Sequence, residues 1–511
     1  MMKKYWIIVF VFVISCKTKE NKEIKEPKYT ANWESLKQHK TPEWFLDAKF
    51  GIYCHWGPYS VPEYKNEWYA HWMYVNKDNP EAKNGEASDF YKHHVATYGT
   101  LDKFGYKDFI PMFTAEKFDA AEWADLFQKA GAKFAGPVSE HADGFAMWDS
   151  DLTKWDAKEM GPKRDVMGEL SKEIRKRDMK FIATFHRQWL YGWFPTWDET
   201  TDASNPEFAG LYGPKVNRGD FKFPSRKNRN GDTYYPLAGK EFNDQWLNRL
   251  KEIVDKYEPD MVWFDNKVDI IAEDHRKEFL EYYYNHADKN NQEVVSTYKF
   301  EDFAKGSAVL DLERARMSEK QDFPWLTDDS IDWNSWSHIK NPNYKSTNRL
   351  IDFLVDVVSK NGAVLLNITP KANGEIPEPV KERLLEMGEW LKVNGEAIYG
   401  TRTFDIYGEG SSKVVEGHLS EQKNADNTAD DIRFTTKGAT LYAIVLDWPE
   451  GKEFTIHSLK KGNGLFPKEI TSIQLLGGNG KNLSFVRNEK GLTIKLPENK
   501  KGKHAFTFKI M

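Results

Sequence analysis

Cysteine is nearly absent from this sequence: Cys16 and Cys54 are the two in 511 residues. Cys16 closes an apolar run near the N-terminus and has a use of its own there. Cys54 is then alone, which excludes an intrachain disulfide and any CxxC-type metal or redox site. The HxH and HExxH spacings that would aim two imidazoles at one ion are also missing, and adjacent His93 and His94 on a helix would point about 100° apart. Positive charge is in short supply, with 73 Lys and Arg against 78 Asp and Glu, a formal net charge of −5. With no long basic run, this argues against a nucleic-acid binder. There is no internal repeat of solenoid type.

The sequence has one strongly apolar run, YWIIVFVFVI over residues 5–14, preceded by MMKK. As a helix it rises about 15 Å, half of a bilayer core of about 30 Å, so it reads as the core of a secretion signal and not as a span. The residues VISC that end it closely resemble a bacterial lipobox, in which cleavage precedes the cysteine and the cysteine is acylated. The expectation is a signal peptide over 1–15, lipidation at Cys16 with firm anchoring by several acyl chains, and a charged flexible tether over 16–30. The protein would then be a bacterial lipoprotein of the periplasm or outer membrane.

Beyond the tether, short apolar runs with polar ends alternate with segments of helical period. The runs are FGIYCHW from Phe50, KFAGPVSEH from Lys133, MKFIATFH from Met179, MVWFD from Met261, EVVSTYK from Glu293, AVLDLE from Ala308 and AVLLNITP from Ala363; an eighth is placed at SIDWNSW from Ser330. Between them, AAEWADLFQKAG carries Trp123, Leu126, Phe127 and Ala130 on one face, and FNDQWLNRLKEIVDKYEP carries Trp246, Leu250, Ile253, Val254 and Tyr257. Near-continuous apolar strands alternating with helices predict a parallel sheet covered on both faces. Seven or eight such units predict an α/β fold, a TIM-like (β/α)8 barrel over residues 31–394. From Gly395 to Met511 the texture changes to short alternating strands divided by Gly, Pro and Asn turns, which predicts a β-sandwich domain.

In such a barrel the active site lies at the C-terminal ends of the strands. The runs end in His55, in Glu140, His141 and Asp143, and in His186, Asp265, Lys299, Glu313 and Asn367. One strand-end Asp ordinarily caps the next helix, but ionisable groups at nearly every strand end imply a shared polar pocket. Two carboxylates with histidines and tryptophans around them are the equipment of a glycosidase: one attacks the anomeric carbon while the other, kept protonated, donates to the leaving oxygen. Aromatics make up 14% of the chain, with 19 Trp, which suits flat packing on sugar CH groups.

The motifs EWFLDAKFGIYCHWGPYSVPE, NEWYAHWMY, HADGFAMWDS, GPKRD, YEPDMVWFDN, NGAVLLNITPKANGEIPE and EWLKVNGEAIYGTR resemble, in order, those of the α-L-fucosidases of glycoside hydrolase family 29, from Trp44 to Arg402. The resemblance implies a retaining exo-hydrolase that uses no cofactor and no metal. It makes Asp265 the nucleophile, His55 and His141 the partners of sugar hydroxyls, and Glu67 and Trp68 part of the pocket. Glu313 is the expected acid/base, with Glu67 in reserve; His186, Arg187, Trp263 and Trp336 complete the sugar-holding set. The sequence departs from the family where a second histidine precedes DGF, here Ala142, at Arg187 beside His186, and at His338 in SWSH. Ala142 would leave room for a modified sugar, and α-L-galactosidase activity is the alternative within the enzyme class. A glycan-binding lipoprotein without catalysis is the alternative outside it. Within the long segment from Leu190 to Phe242, the stretch from Lys215 to Arg229 sets Lys215, Arg218, Lys222, Arg226, Lys227 and Arg229 against Asp220 alone, which points to a sulfated fucan-type glycan as the partner.

Overall fold

The computed structural model describes residues 26–218, 238–498, 500 and 502–511. The expected signal peptide with Cys16, most of the tether, and Lys222, Arg226, Lys227 and Arg229 lie outside the described residues. Among the described residues no helix is long and apolar enough to cross a membrane.

Eight parallel strands close into a barrel: β1 (Phe50–Cys54), β2 (Phe134–Glu140), β3 (Lys180–Phe185), β4 (Met261–Phe264), β5 (Val295–Tyr298), β6 (Val309–Glu313), β7 (Trp325–Ser330) and β8 (Gly362–Ile368), with β8 pairing back onto β1. Seven strands fall where the apolar runs place them. The eighth does not: β7 is WLTDDS, and SIDWNSW after it is mostly a loop. Asp328 and Asp329 make WLTDDS look like a turn in sequence, yet both are buried beside lysines, at Lys299 and Lys345 respectively. The loop is held by Asp332, whose Oδ1 accepts from the N–H groups of Asn334 (2.6 Å) and Ser335 (3.1 Å).

Side chains alternate across each strand, and the two faces build separate cores. Tyr53, Phe134, Val138, Ile182, Met261, Trp263, Val295, Val309, Leu326, Ala363 and Leu365 fill the barrel, with Phe45 in the same cluster. Gly51 belongs to this face because the Phe134 ring occupies the place of a Cβ. The outer residues pack under helices Ala120–Lys129, Val166–Arg175, Lys240–Tyr257, Glu273–Lys289, Thr347–Ser359 and Glu378–Asn394. Asp119, Asp165 and Ser346 cap three of these by accepting from N–H groups of the first turn.

One departure from a regular (β/α)8 array matters for function: no helix follows β5 or β6. Chain from the second domain packs there instead. That domain starts with β9 (Arg402–Glu409) and continues through β10 (Ile432–Lys437), β11 (Thr440–Val445), β12 (Glu453–Ile456), β13 (Ile473–Leu475), β14 (Phe485–Asn488), β15 (Gly491–Lys495) and β16 (Phe506–Ile510). They form an antiparallel sheet of order β13-β16-β11-β10-β9 and a second of order β12-β15-β14 around a shared apolar core. Two buried ionic clusters join it to the barrel. Glu421 pairs with Arg316 (2.7 Å) and Arg349 (2.6 Å), and Asp356 pairs with Arg433 (2.5 Å) and Lys360 (2.8 Å). Such desolvated pairs add little net stability, but removing one partner strands a buried charge, so they fix where the domains meet.

Candidate active site

The period of two that fills the barrel also aims its polar residues. Met261 and Trp263 point inward on β4, so the next inward position is Asp265. The same count runs from Tyr53 to His55, from Ile182 through Thr184 to His186, from Val295 through Thr297 to Lys299, from Val309 through Asp311 to Glu313, from Leu326 to Asp328, and from Leu365 to Asn367. On β2 a register shift between Val138 and Glu140 breaks the count, so that His141 and not Glu140 takes the inward position. These tips converge on a cavity of about 240 Å³, on the scale of one sugar ring, lined by Tyr53, His55, Glu67, Trp68, His141, His186, Trp189, Trp263, Asp265, Asn266, Glu313, Asp328, Trp336, His418 and Leu419. A larger surface groove of about 870 Å³, lined by Lys28, Lys251 and Tyr282 among others, has no buried lining residue, so convergence and not volume selects the site.

The tips of β1, β2 and β3 form a wall of imidazoles. His55 stands 5.4 Å from His141 and 5.2 Å from His186, ring centre to ring centre, and the latter two are 4.8 Å apart. Asn367 Oδ1 accepts from both the backbone N–H (2.8 Å) and Nδ1–H (2.9 Å) of His55, which assigns the proton to Nδ1 and leaves Nε2 as an acceptor. Asn367 is itself held, donating through Nδ2 to Trp336 O (2.6 Å) and Ser330 Oγ (3.0 Å). Burial lowers the pKa of His55 to about 4 and those of His141 and His186 well below the usual value, so the wall is neutral at physiological pH. Nδ1 of His141 and of His186 is buried without a protein partner, a state that suits hydroxyl groups of a bound sugar. Ligand atoms of the three rings lie within 4.8 Å of one another, close enough to hold an ion. Nδ1 of His55 is already committed to Asn367, and no carboxylate belongs to the group.

The opposite wall is ionic. Lys299 pairs with Asp311 Oδ2 (2.8 Å) and with Asp328, which also accepts from Tyr53 OH (3.1 Å). Burial works against its charge, but Asp311, Asp328, Glu313 and Asp265 outweigh that and hold the ammonium protonated. Trp263 donates Nε1–H to Asp311 Oδ2 (2.8 Å) and lies beneath the ammonium, 5.0 Å from its ring centre. Asp265 accepts at Oδ1 from the Asn266 N–H (2.7 Å), which fixes its rotation, and Gln188 Nε2 holds its carbonyl (2.8 Å). Burial pushes Asp265 up to about 6, with Lys299 restraining the rise. Glu313 is pushed well above the carboxylate range, first by burial and then by the charges of Asp265 and Asp328, against Lys299 and Arg314. Both carboxyls are raised, but the like charges beside Glu313 favour its protonated form while Lys299 restrains Asp265, the ordering of acid and nucleophile that double displacement requires.

Glu67 also lines the cavity, but its Oε2 accepts from the Trp336 N–H (2.9 Å) and Ser335 Oγ (3.4 Å), so it anchors the loop after β7. Trp336 is backed by the Arg314 guanidinium, 4.5 Å from its ring centre, and Trp68 packs on Trp193 and Trp189 with centres at 5.0 and 5.3 Å. Arg187, expected to hold the sugar, does not line the cavity. It is buried behind the imidazole wall, bonded to Glu140 Oε1 (2.5 Å) and Gln245 Oε1 (2.8 Å), and Glu140 also meets Arg249 at 3.1 Å. Position 187 falls out of phase with inward-pointing His186, and the neighbouring Glu140 carboxylate gives its guanidinium a partner. Ala142 and His338 are buried but line no part of the cavity, so the room expected at Ala142 is not in the site. Asp143 is likewise behind it, accepting from Tyr106 OH at 2.5 Å. Sequence reasoning missed Asp328, hidden by the misplaced strand, along with Tyr53, the inward residue two before His55, and Asn266, which follows Asp265. It also missed Trp189, His418 and Leu419.

A closed parallel barrel whose strand tips set two carboxyls, Asp265 and Glu313, against buried imidazoles in one cavity of the scale of a sugar ring has the build of a glycoside hydrolase. Comparison with known proteins narrows this. The profile of the alpha-L-fucosidase family matches residues 16–396, and that of the alpha-L-fucosidase C-terminal domain matches residues 424–511. Tissue alpha-L-fucosidase of Rattus norvegicus is 31% identical over 479 residues, covering 92% of this chain and 89% of the relative, and plasma alpha-L-fucosidase of Homo sapiens is 31% identical over 489 residues, covering 92% and 89%. The crystal structure of the Thermotoga maritima alpha-fucosidase superposes with a TM-score of 0.72 at 29% identity, covering 94% of this chain and 100% of that one. This chain belongs to the alpha-L-fucosidase family.

Proposed function

We propose that the protein releases terminal α-L-fucose with retention by double displacement. Asp265 attacks the anomeric carbon and forms a glycosyl ester, while Glu313 protonates the departing oxygen. Glu313 then takes a proton from the water that opens the ester. His55, His141 and His186 hold the sugar's hydroxyls, and Trp263 and Trp336 pack on its carbon face. The observation that carries this reading is the placement of Asp265 and Glu313, at the tips of β4 and β6, in one cavity of the scale of a sugar ring, facing three buried histidines. The same placement speaks against a binding-only protein, since burying two carboxyls beside the sugar costs desolvation that binding alone does not need.

The test is hydrolysis of matched aryl α-L-fucoside and α-L-galactoside by the wild type and by Asp265→Ala, with the anomer first released followed by NMR. Turnover of the fucoside with retained configuration, lost in the variant, supports the reading; inversion overturns double displacement, and preference for the galactoside overturns the sugar.

Two finer features belong to the same proposal. The natural substrate is a sulfated fucan-type glycan, a reading supported by the basic residues from Lys215 to Arg229 in the sequence. Of these, Arg218 donates to Asp78 O (2.5 Å) and Lys215 lies 3.9 Å from Glu199. The protein is a lipoprotein acylated at Cys16, supported by the VISC motif. Desulfation of the glycan should slow release, and Cys16→Ala should move the protein from the membrane to the soluble fraction.

A further inference from the structure

The connection from β9 to β10 leaves the second domain and reaches the barrel mouth where no helix follows β5 or β6. It is clamped there. Leu419 N–H donates to Glu313 O (2.9 Å), Glu421 N–H donates to Arg314 O (2.8 Å), and the Glu421 carboxylate is buried between Arg316 and Arg349. Gln422 Nε2 adds a bond to Trp333 O (3.1 Å). The clamp holds His418 Nε2 3.5 Å from Glu313 Oε2, with the imidazole and the Phe300 ring steeply inclined and their centres 4.9 Å apart.

Two further observations mark this corner. Leu419 and Phe300 both adopt left-handed backbone, with φ of 58° and 54°, which is costly for large side chains without a compensating role. Both side chains are also exposed, at 51% and 37%, and Leu419 lines the cavity beside the carboxyl that faces the leaving oxygen. Two exposed apolar residues in strained backbone, one following His418 and the other packed on its ring, are wasteful in a surface turn, but they make sense where the carbon face of a second sugar must rest.

We propose that Gly417–Glu421 of the second domain completes the leaving-group side of the active site, with His418 positioning the Glu313 carboxyl and Leu419 with Phe300 forming the apolar surface that holds the departing sugar. This rests on the fucosidase reading. The other charged groups around Glu313 are Lys299, Asp265, Asp328 and Arg314, all from the barrel, so His418 brings the second domain into the proton transfer. A contact that did no more than hold the loop in place would affect every substrate alike.

The experiment compares α-L-fucosyl fluoride, whose leaving group needs little protonation and offers nothing to rest on an apolar surface, with a fucosyl disaccharide, which needs both. His418→Ala, His418→Gln and Leu419→Ala are assayed on each across pH. The expected result for His418→Ala is a fall in kcat/KM about tenfold larger on the disaccharide than on the fluoride, with the basic limb of the pH profile displaced and partial recovery in His418→Gln. Leu419→Ala should raise KM for the disaccharide severalfold with a smaller effect on kcat. Equal losses on both substrates, or no loss on either, overturn the proposal while leaving the fucosidase reading intact. A wild type inactive on both substrates overturns the fucosidase reading and this inference together.

Discussion

The two walls of the cavity are both largely removed from water, with Asp265 and Glu313 more open than the buried histidines opposite, and they respond in opposite ways. Burial disfavours charge everywhere. On the wall from β1 to β3 it leaves His55, His141 and His186 neutral, and so able to meet uncharged hydroxyls at low electrostatic cost. On the wall from β4 to β7 the same force acts on acids, raising Asp265 and Glu313, and buried Lys299 does most to limit the rise, with Lys267 helping at Asp265 and Arg314 at Glu313. One wall is built to bind and the other to split protonation states. The difference comes from which residue types the strand period brings inward.

The strongest way to break the comparison is to remove the ionised acid. Asp265→Ala should lower kcat by about a thousandfold or more on any fucoside, measured with an aryl substrate, while the imidazole wall still binds fucose. Glu313→Ala should cost about 10²–10⁴-fold where the leaving group needs a proton, and much less on an activated aryl fucoside. The pH profile sharpens the same point. Asp265 must be ionised, so kcat/KM should rise with pH through about 6, and Glu313 must be protonated, so activity should fall on the alkaline side as that proton is lost. The histidines should add no limb above about pH 4.

Lys299→Met tests the cation. It strands Asp311 and Asp328 without their partner and should destabilise the fold by about 3–5 kcal/mol in denaturant unfolding, with the acidic limb moving to higher pH in whatever remains folded. The smallest effect belongs to the binding wall. His186→Ala should cost about 1–3 kcal/mol in sugar binding, a loss of roughly 5–150-fold in kcat/KM, and should leave the pH limbs where they are.

The barrel was legible because its strands are apolar runs, and the inward carboxylates were legible because they continue those runs by one or two residues. Asp265 and Glu313 show as strand-end carboxylates in the sequence, while the roles expected of them came from the resemblance of the surrounding motifs. WLTDDS was misread because a buried aspartate paired with a distant lysine has the same local signature as a turn aspartate; what distinguishes them, Lys299 and Lys345, lies elsewhere in the chain. Arg187 was misplaced for a related reason: its position beside His186 in sequence puts it on the other face of the strand end. His418 was invisible because it sits 105 residues beyond Glu313 in a domain read as an accessory, and only the tertiary clamp at Glu421 brings it to the site.

The account stands or falls on Asp265 being the residue that bonds to the sugar. Incubation with 2-deoxy-2-fluoro-α-L-fucosyl fluoride, which forms the glycosyl ester quickly and releases it slowly, followed by proteolysis and mass spectrometry, reads this directly. A single fluorofucosyl adduct on the peptide carrying Asp265, absent in Asp265→Ala, is the predicted result. An adduct on Glu67, Glu313 or Asp328, or steady turnover of fucosides with no adduct at all, would contradict it.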